Sequence, residues 1–256
     1  MNNLPDIEQV TPYYKDELVT LYHGDCVDIL PKLNNIDMVF TSPPYNMGTS
    51  PTSGKGKAAF GSWSLGAKEF ANGYEGDIDA MPHEEYSAWQ TQVLSLCWAS
   101  LSDTGAIFYN HKPRPMNGVL NLPIDYGSDL PLRQIIIWDR DTGMNFSSHH
   151  FLPKHEWIVV WAKSGWRLPD QKVSGIGDVW HISPETKGDH PAPFPIKLPS
   201  TAITAVEPKL VLDPFAGSGT TLRAAKNLGV RCIGIEQSER YCELIVARLG
   251  QEVLAL

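Results

Sequence analysis

The amino-acid sequence predicts an α/β fold built on a mostly parallel, doubly wound sheet of about seven strands. Short β-rich runs alternate with helical patterns along the 256 residues, and most of these runs are almost entirely apolar, as in "DMVF", "QIIIW" and "WIVVW". Strands that are buried on both faces have this composition, because helices cover the sheet on each side. A chain of this length is sufficient for one large α/β domain.

The predicted elements follow one another as alternating strands and helices. The predicted strands are residues 18–22, 37–41, 105–110, 133–138, 156–161, 209–212 and 231–235. The predicted helices are residues 84–101, residues 220–228, and a segment that Ser238 caps and that runs to Leu249. The first helix has apolar side chains at helical spacing, among them Tyr86, Val93 and Cys97.

Two stretches lack a regular pattern. Residues 46–76 are rich in Gly, Ser, Thr and Lys, and residues 164–208 are rich in Pro and Gly. The first stretch is too long for a plain connector, so we expect a loop that is either functional or mobile. We expect the second stretch to be irregular.

The composition indicates an intracellular protein without a membrane span. No apolar run is long enough to cross a bilayer, and the polar residues 1–9 do not form a signal peptide. The four cysteines, Cys26, Cys97, Cys232 and Cys242, contain no C-x-x-C pair, and the first three lie in apolar-rich segments, so we expect those three to be reduced core residues. A net charge of −8 argues against nucleic acid as a partner, but several locally basic loops leave that question open.

A glycine-rich turn follows the predicted strand 209–212, in the sequence "KLVLDPFAGSGTT". Gly217 and Gly219 allow a positive φ and a close approach of the backbone to a ligand, and the following helix offers free N–H groups. Glu236 ends the next strand, where an acid would bind a ribose diol. The pattern favours a nucleotide-like ligand, and an ordinary strand-to-helix turn is the alternative interpretation.

A second turn, Ser42-Pro43-Pro44-Tyr45, follows the predicted strand 37–41 at its carboxyl end. The two prolines fix the backbone, which aims a carbonyl group and the Ser42 hydroxyl outward beside a Tyr ring. Two acceptors and a stacking ring suit the methylation of an aromatic amino group on a flipped base, because such a nitrogen is a poor nucleophile that must be positioned. A Pro-rich turn in which Tyr45 covers an edge is the structural alternative.

The two motifs together resemble the amino-methylating DNA methyltransferases, which carry (D/N/S)-P-P-(Y/F). The order, with S-P-P-Y first and F-A-G-S-G-T last, resembles the circularly permuted β group of that family. "GDC" at residues 24–26, "HPAPFPIKLP" at 190–199 and "GIEQSERYCELIVARL" at 234–249 also resemble family segments. The resemblance covers nearly the whole chain.

The resemblance implies a Rossmann-like fold that binds S-adenosylmethionine (AdoMet) and uses neither a metal nor a covalent intermediate. The implied AdoMet-binding residues are Asp25, Cys26, Asp213, Phe215, Gly217, Gly219, Thr220, Thr221 and Glu236. The implied residues at the target base are Ser42, Pro43, Pro44 and Tyr45. Ser-Pro-Pro-Tyr and His-Pro-Ala-x-Phe-Pro resemble the cytosine-N4 branch, so cytosine N4 is favoured and adenine N6 is the alternative.

The resemblance also implies a single methyltransferase domain over residues 1–256. Residues 18–163 would form a catalytic half, residues 164–189 a short target-recognition insert and residues 190–256 the AdoMet-binding half. The partner would be double-stranded DNA in the cytoplasm of a bacterial, archaeal or phage-infected cell. A homodimer, a cognate restriction nuclease, an RNA or protein acceptor, and an inactive DNA-binding relative stay open.

We expect much of the DNA surface to lie in two loops with basic residues, 46–76 and 140–155. The candidate DNA-binding residues are Lys55, Lys57, Arg140, His149, His150 and Lys154. Solvated lysines are the alternative, and two adjacent histidines lack the spacing of metal ligands. Glu156, which opens a predicted strand, is equally compatible with a structural salt link and with a catalytic role.

Charge reversal at Lys55 and Lys57 tests this DNA surface. Replacing both residues with Glu weakens DNA binding, and it makes the dependence of log K on log salt shallower by about 0.9 for each phosphate that the protein no longer neutralises. Titration of a DNA duplex at several salt concentrations measures both quantities. An unchanged affinity and an unchanged slope would contradict the assignment.

Overall fold

The structure, a computed structural model, describes residues 10–46, 81–116, 118–141, 151–184 and 194–250. The strands in these ranges are β1 (Tyr14–Lys15), β2 (Val19–His23), β3 (Ile36–Thr41), β4 (Leu101–His111), β5 (Arg114–Met116), β6 (Val119–Asn121), β7 (Leu132–Asp139), β8 (His155–Ala162), β9 (Val179–His181), β10 (Leu210–Asp213) and β11 (Arg231–Glu236). The α-helices are α1 (Cys26–Ile29), α2 (His83–Ser100), α3 (Lys197–Val206), α4 (Thr220–Asn227) and α5 (Glu239–Gly250). Short 3-10 helices span Leu30–Lys32, Pro123–Gly127 and Gln171–Ile176.

Nine of the described strands form one sheet, in the order β1-β2-β11-β10-β3-β4-β8-β7-β9. The five strands from β2 to β4 in this order are parallel, whereas β8 runs antiparallel to both of its neighbours. The predicted α/β class and largely parallel sheet are confirmed, and all seven predicted strands are present. The predicted number of about seven strands was too low, because the short strands β1 and β9 extend the two edges.

The three predicted helices are confirmed within one residue at each end. The prediction that residues 164–208 are irregular was wrong in part, since α3 and β9 lie in this stretch. Pro199 masked the helix in the sequence, but it lies in the first turn, where proline is tolerated. Strand β9 has three residues and pairs in parallel with β7.

Two apolar clusters cover the two faces of the sheet. Strand β3 contributes Met38 and Phe40 to the first cluster, which includes residues of α3, α4 and α5, and Ile36 and Val39 to the second, which includes residues of α1 and α2. Burial on both faces explains why the strands are almost entirely apolar. The four cysteines are free and buried, which was predicted for Cys26, Cys97 and Cys232 and not for Cys242. None of the described helices is long and apolar enough to cross a membrane.

A buried hydrogen bond joins the two strands that precede the two sequence motifs. The Thr41 hydroxyl at the end of β3 donates to Asp213 Oδ1 at the end of β10, at 2.7 Å. The same carboxylate oxygen accepts the Phe215 N–H at 3.1 Å. Burial raises the pKa of Asp213 from 3.8 to about 6. Both motif turns therefore leave the sheet from neighbouring, tied positions.

Asp213→Asn tests the pKa of this buried carboxyl. Because the pKa of Asp213 is raised from 3.8 to about 6 on folding, its contribution to the free energy of unfolding is fully present below pH 3.8 and is lost as the pH rises through about 6. We expect the unfolding free energy of the wild type, relative to that of the variant, to fall by about 2 kcal/mol between pH 4.5 and 7. Urea unfolding at several pH values measures this difference, and parallel pH curves would contradict the assignment.

Candidate active site

The Ser42–Tyr45 turn lies at the carboxyl edge of the sheet, directly after β3, where the sequence predicted it. Pro43 and Pro44 are buried, whereas Ser42 and Tyr45 are half-buried. The Tyr86 hydroxyl on α2 donates to the Pro44 carbonyl at 2.7 Å. The turn is therefore fixed by its own prolines and by a contact from a helix.

Arg114 and Asn46 hold the end of the same turn. The Arg114 guanidinium on β5 donates to the carbonyl oxygens of Tyr45 and Asn46. The Asn46 side chain donates to the Met81 carbonyl at 2.9 Å, just before α2. Arg114 was not singled out in the sequence, because it lies on a short strand outside the main sheet and far along the chain from the turn.

A hydrogen-bonded cluster surrounds the Tyr45 hydroxyl. The Ser42 Oγ lies 2.8 Å from the Tyr45 oxygen, and the Tyr45 hydroxyl donates to Glu156 Oε2 at 2.9 Å. Asn110 Nδ2 lies 2.7 Å from the Tyr45 oxygen, 3.0 Å from Glu156 Oε2 and 3.3 Å from Ser42 Oγ. Asn110 and Glu156 are buried. The cluster joins the ends of β3 and β4 to the start of β8.

Glu156 also forms an ion pair, so the salt link that the sequence offered as one interpretation of this residue is present. Arg140 NH1 lies 2.9 Å from Glu156 Oε1, with 21% of the Arg140 side chain exposed. Arg140 NH2 donates to the Pro153 carbonyl at 3.2 Å. Sequence reasoning did not connect Glu156 to the Ser42–Tyr45 turn. Strand β8 is antiparallel to β4, so its first residues lie at the carboxyl edge of the parallel strands. Knowing this direction would have connected Glu156 to the turn.

His111 and Lys112 flank the Tyr45 ring. The His111 and Tyr45 ring centroids are 4.6 Å apart, and Lys112 Nζ lies 5.4 Å from the Tyr45 centroid. Burial lowers the pKa of His111 to about 3, so this imidazole is neutral at physiological pH. His111 Nδ1 donates to the Lys112 carbonyl at 2.9 Å, and His111 Nε2 lies 2.9 Å from the Tyr86 oxygen.

The glycine-rich turn lies beside the Ser42–Tyr45 turn and has the predicted backbone. Gly217 and Gly219 have φ values of +52° and +77°. A Cβ at Gly219 would lie 2.9 Å from an Ile245 side-chain carbon, so this position requires glycine on steric grounds as well. Arg248 NH1 lies 3.1 Å from both the Ser218 carbonyl and Thr220 Oγ1. Thr220 and Thr221 begin α4 and are buried.

Glu236 fixes the glycine-rich turn from the neighbouring strand β11. Its Oε2 accepts the Gly217 N–H at 2.7 Å, and its Oε1 accepts the Ser238 N–H at 2.9 Å. Burial raises the pKa of Glu236. Phe215 lies at the start of the turn, with its ring centroid 5.4 Å from the ring of Trp89 on α2.

Asp25 lies next to Glu236, at the end of β2. Its side chain accepts the Val27 N–H at 2.9 Å and thereby caps α1, whose first residue is the buried Cys26. The Gly24 N–H donates to the Glu236 carbonyl at 2.9 Å. Strands β2, β11, β10 and β3 are consecutive in the sheet, so the structure brings the predicted cofactor residues and the Ser42–Tyr45 turn together at one edge. Neighbouring strands are about 4.8 Å apart, so the ends of these four strands lie within about 15 Å of one another.

The predicted DNA-binding residues are placed only in part. Lys55, Lys57, His149 and His150 lie outside the described residues. Lys154 is exposed, and its carbonyl accepts the Arg140 N–H at 2.9 Å. Arg140 reaches the cluster around Tyr45 through Glu156. Among the residues that the structure describes, no group of three or more His, Cys, Asp or Glu side chains could hold a metal ion.

Comparisons with known proteins agree with this arrangement. Type II methyltransferase M.ScaI of Streptomyces caespitosus is 30% identical to this chain, over 99% of the chain and 89% of its own length. The PvuII DNA methyltransferase (cytosine-N4-specific) has the same fold, with a TM-score of 0.72 at 19% identity over 96% of this chain and 92% of its own. The M1.HpyAVI–SAM complex has a TM-score of 0.58 at 19% identity, over 91% of this chain and 100% of its own.

The family comparison covers both motif turns and the strands between them. The sequence profile of the N6/N4 methyltransferases, described as DNA methylase, matches residues 36–247. This range begins at β3, before the Ser42–Tyr45 turn, and ends in α5, beyond Glu236. The chain therefore belongs to the N6/N4 DNA methylase family.

Proposed function

We propose that this chain is a site-specific DNA methyltransferase that transfers a methyl group from AdoMet to the exocyclic amino group of a flipped base, with cytosine N4 favoured. The observation that carries the proposal is the arrangement of four consecutive strand ends. Asp25 and Glu236 lie on one side of the glycine-rich turn, and Ser42 and Tyr45 lie on the other. A methyl donor bound at the turn would lie beside a base held at Ser42.

The cofactor half of the proposal rests on the acceptors and the open backbone of the glycine-rich turn. Each Glu236 carboxylate oxygen accepts one backbone N–H and keeps a further lone pair, which can accept a ribose hydroxyl. The Gly217 N–H is bound to Glu236, but the glycine has no side chain, and within the described residues a Cβ there would meet only the Phe215 carbonyl, at 3.8 Å, so a ligand can approach this backbone closely. The family resemblance implies that Asp25, Phe215, Thr220 and Thr221 would also contact the cofactor.

The base half of the proposal rests on acceptors at a rigid turn. AdoMet, when bound, would supply the methyl group, and the amino nitrogen that receives it would release one proton to solvent water. Ser42 Oγ and the Pro43 carbonyl would accept the two N–H groups and aim the nitrogen lone pair at the methyl carbon. Tyr45 would stack on the base.

Cytosine N4 is favoured over adenine N6 by the residues of two segments. Ser42-Pro43-Pro44-Tyr45 and the segment 190–199 resemble those of the cytosine-N4 branch, and the cytosine-N4-specific PvuII enzyme shares the fold. Adenine N6 is the second candidate, because the matching family profile includes both kinds of enzyme. Double-stranded DNA is the proposed substrate, and the Type II relative supports a cognate restriction nuclease as a partner in the cell.

Mass spectrometry of methylated nucleosides tests the proposed function. Purified protein, DNA and AdoMet are incubated together, and the DNA is then digested and analysed. We expect N4-methylcytosine, and we expect Ser42→Ala to lower its yield by about 100-fold because one hydrogen-bonding group at the reacting nitrogen is removed.

Ser95→Ala, which changes an exposed serine on α2, is the matched control and should leave the yield unchanged. N6-methyladenine in place of N4-methylcytosine would change the target base and keep the reaction. Neither product, in a protein that binds AdoMet, would contradict the proposal.

Glu236→Gln tests the cofactor site. The substitution exchanges a charged acceptor for a neutral one, so AdoMet binding should weaken by about 10- to 100-fold. Isothermal titration calorimetry measures the affinity, and thermal unfolding without AdoMet shows whether the variant is folded. Glu243→Gln removes an exposed carboxylate on α5 and should bind AdoMet as the wild type does. Equal affinities for Glu236→Gln and the wild type would place the ribose elsewhere.

A further inference from the structure

We propose that Glu156 acts through Tyr45 to make Ser42 a hydrogen-bond acceptor toward the substrate, so that the site admits a base with an amino group and rejects one with a carbonyl group at the same position. The proposal rests on the proposed function, since it concerns the base held at Ser42. It assigns a positioning role to Glu156 and Asn110, which lie behind the turn.

The direction of the hydrogen bonds is set at Glu156. An ionised carboxylate has no hydrogen to donate, and Arg140 NH1, 2.9 Å from Oε1, provides the positive charge that an ionised, buried carboxylate needs. The Tyr45 hydroxyl therefore donates to Oε2 at 2.9 Å. Burial raises the pKa of Tyr45, so this hydroxyl keeps its proton.

The direction of the hydrogen bond between Ser42 and Tyr45 follows from that of the bond to Glu156. Tyr45 has one hydroxyl hydrogen, and this hydrogen is used on Glu156. The Tyr45 oxygen can only accept from Ser42, 2.8 Å away. The single hydroxyl hydrogen of Ser42 is therefore directed at Tyr45, and the lone pairs of Ser42 Oγ are left for other donors.

Asn110 reinforces this direction from behind the turn. Its amide nitrogen must face Glu156 Oε2, at 3.0 Å, because the carboxylate oxygen accepts only. The second amide hydrogen is directed at the Tyr45 oxygen, at 2.7 Å, and the 3.3 Å contact to Ser42 Oγ is the longest of the three. Asn110 is completely buried and Glu156 is 5% exposed, so water does not compete with either side chain for these hydrogen bonds.

The arrangement has a consequence for the chemistry of the base. The amino groups of cytosine and adenine donate hydrogen bonds, whereas the carbonyl group at the corresponding position of uracil or hypoxanthine only accepts them. Two acceptors that face each other without a hydrogen are unfavourable in a dry site. A serine hydroxyl can donate as well as accept, so it discriminates between the two groups only if its hydrogen is held elsewhere. Glu156 and Tyr45 provide that constraint.

Glu156→Gln tests the direction, because a glutamine amide can donate to Tyr45 and reverse the chain of hydrogen bonds. DNA duplexes are prepared with the target base and with its carbonyl counterpart, cytosine against uracil or adenine against hypoxanthine, and binding is measured with S-adenosylhomocysteine present. The wild type should bind the amino duplex at least about 10-fold more tightly. The variant should lose this preference to within about 3-fold.

Asp139→Asn is the matched control for this experiment. It removes a carboxylate from the end of the adjacent strand β7, where Asp139 pairs with the exposed His181. We expect this control to keep the wild-type preference. A Glu156→Gln variant that is folded and keeps the full preference for the amino duplex would overturn the proposal.

A second measurement does not depend on catalysis. Ser42→Ala and Glu156→Gln are combined in a double-mutant cycle of urea unfolding, with Tyr45 present and again in the Tyr45→Phe background. Because the two residues communicate through the Tyr45 hydroxyl, their coupling should be a factor of about 3 or more in the unfolding constant and should fall toward 1 in the Tyr45→Phe background.

Coupling that is absent with Tyr45, or that is equally large in the Tyr45→Phe background, would overturn the inference. If the wild type methylates no DNA, the proposed function fails while this cycle still decides the direction of the hydrogen bonds. If the wild type methylates DNA and the coupling is absent, only the inference fails. The two failures are therefore distinguishable.

Discussion

The hydrogen bond from Thr41 to Asp213 joins the two parts of the site. Thr41 is the last residue of β3 and Asp213 is the last residue of β10, so the bond lies where the chain leaves the sheet toward each turn. Asp213 also accepts the Phe215 N–H, which fixes the first residues of the glycine-rich turn. In the proposed function, the distance between a methyl donor at that turn and a base at Ser42 would therefore be set by two adjacent, tied strands. Glu236, Asp25 and Asn110 act on this frame from the next strands on either side.

The parts of the fold that could be predicted from the sequence are long segments whose residues repeat one pattern of burial. The central strands are buried on both faces, and α2, α4 and α5 have clear ends, so the sequence carries a strong signal for each of them. Strands β1 and β9 have too few residues to produce a pattern. Helix α3 contains a proline in its first turn, which favours a loop in a sequence and costs little in this structure.

The candidate site likewise has residues that could be predicted from the sequence and residues that could not. The residues of the two turns could be predicted because each motif is local, and its chemistry follows from neighbouring residues such as Ser42 and the two prolines. The cluster behind the turn is not local, since Tyr45 and Glu156 are 111 residues apart. Their contact depends on the antiparallel direction of β8, which places the first residues of that strand at the edge where β3 and β4 end. No spacing in the sequence carries this information.

The pairing of β2 with β11 has a consequence for how the protein is made. Val19 lies opposite Cys232, so β2 needs β11, the last of the described strands, to complete its pairing on the side away from β1. Asp25 follows β2 and Glu236 ends β11, so the two acids that are proposed to bind the cofactor come together only when these strands pair. During synthesis on the ribosome, the Ser42–Tyr45 turn emerges long before Glu236. A chain that has been synthesised only as far as this turn therefore lacks one side of the proposed cofactor pocket.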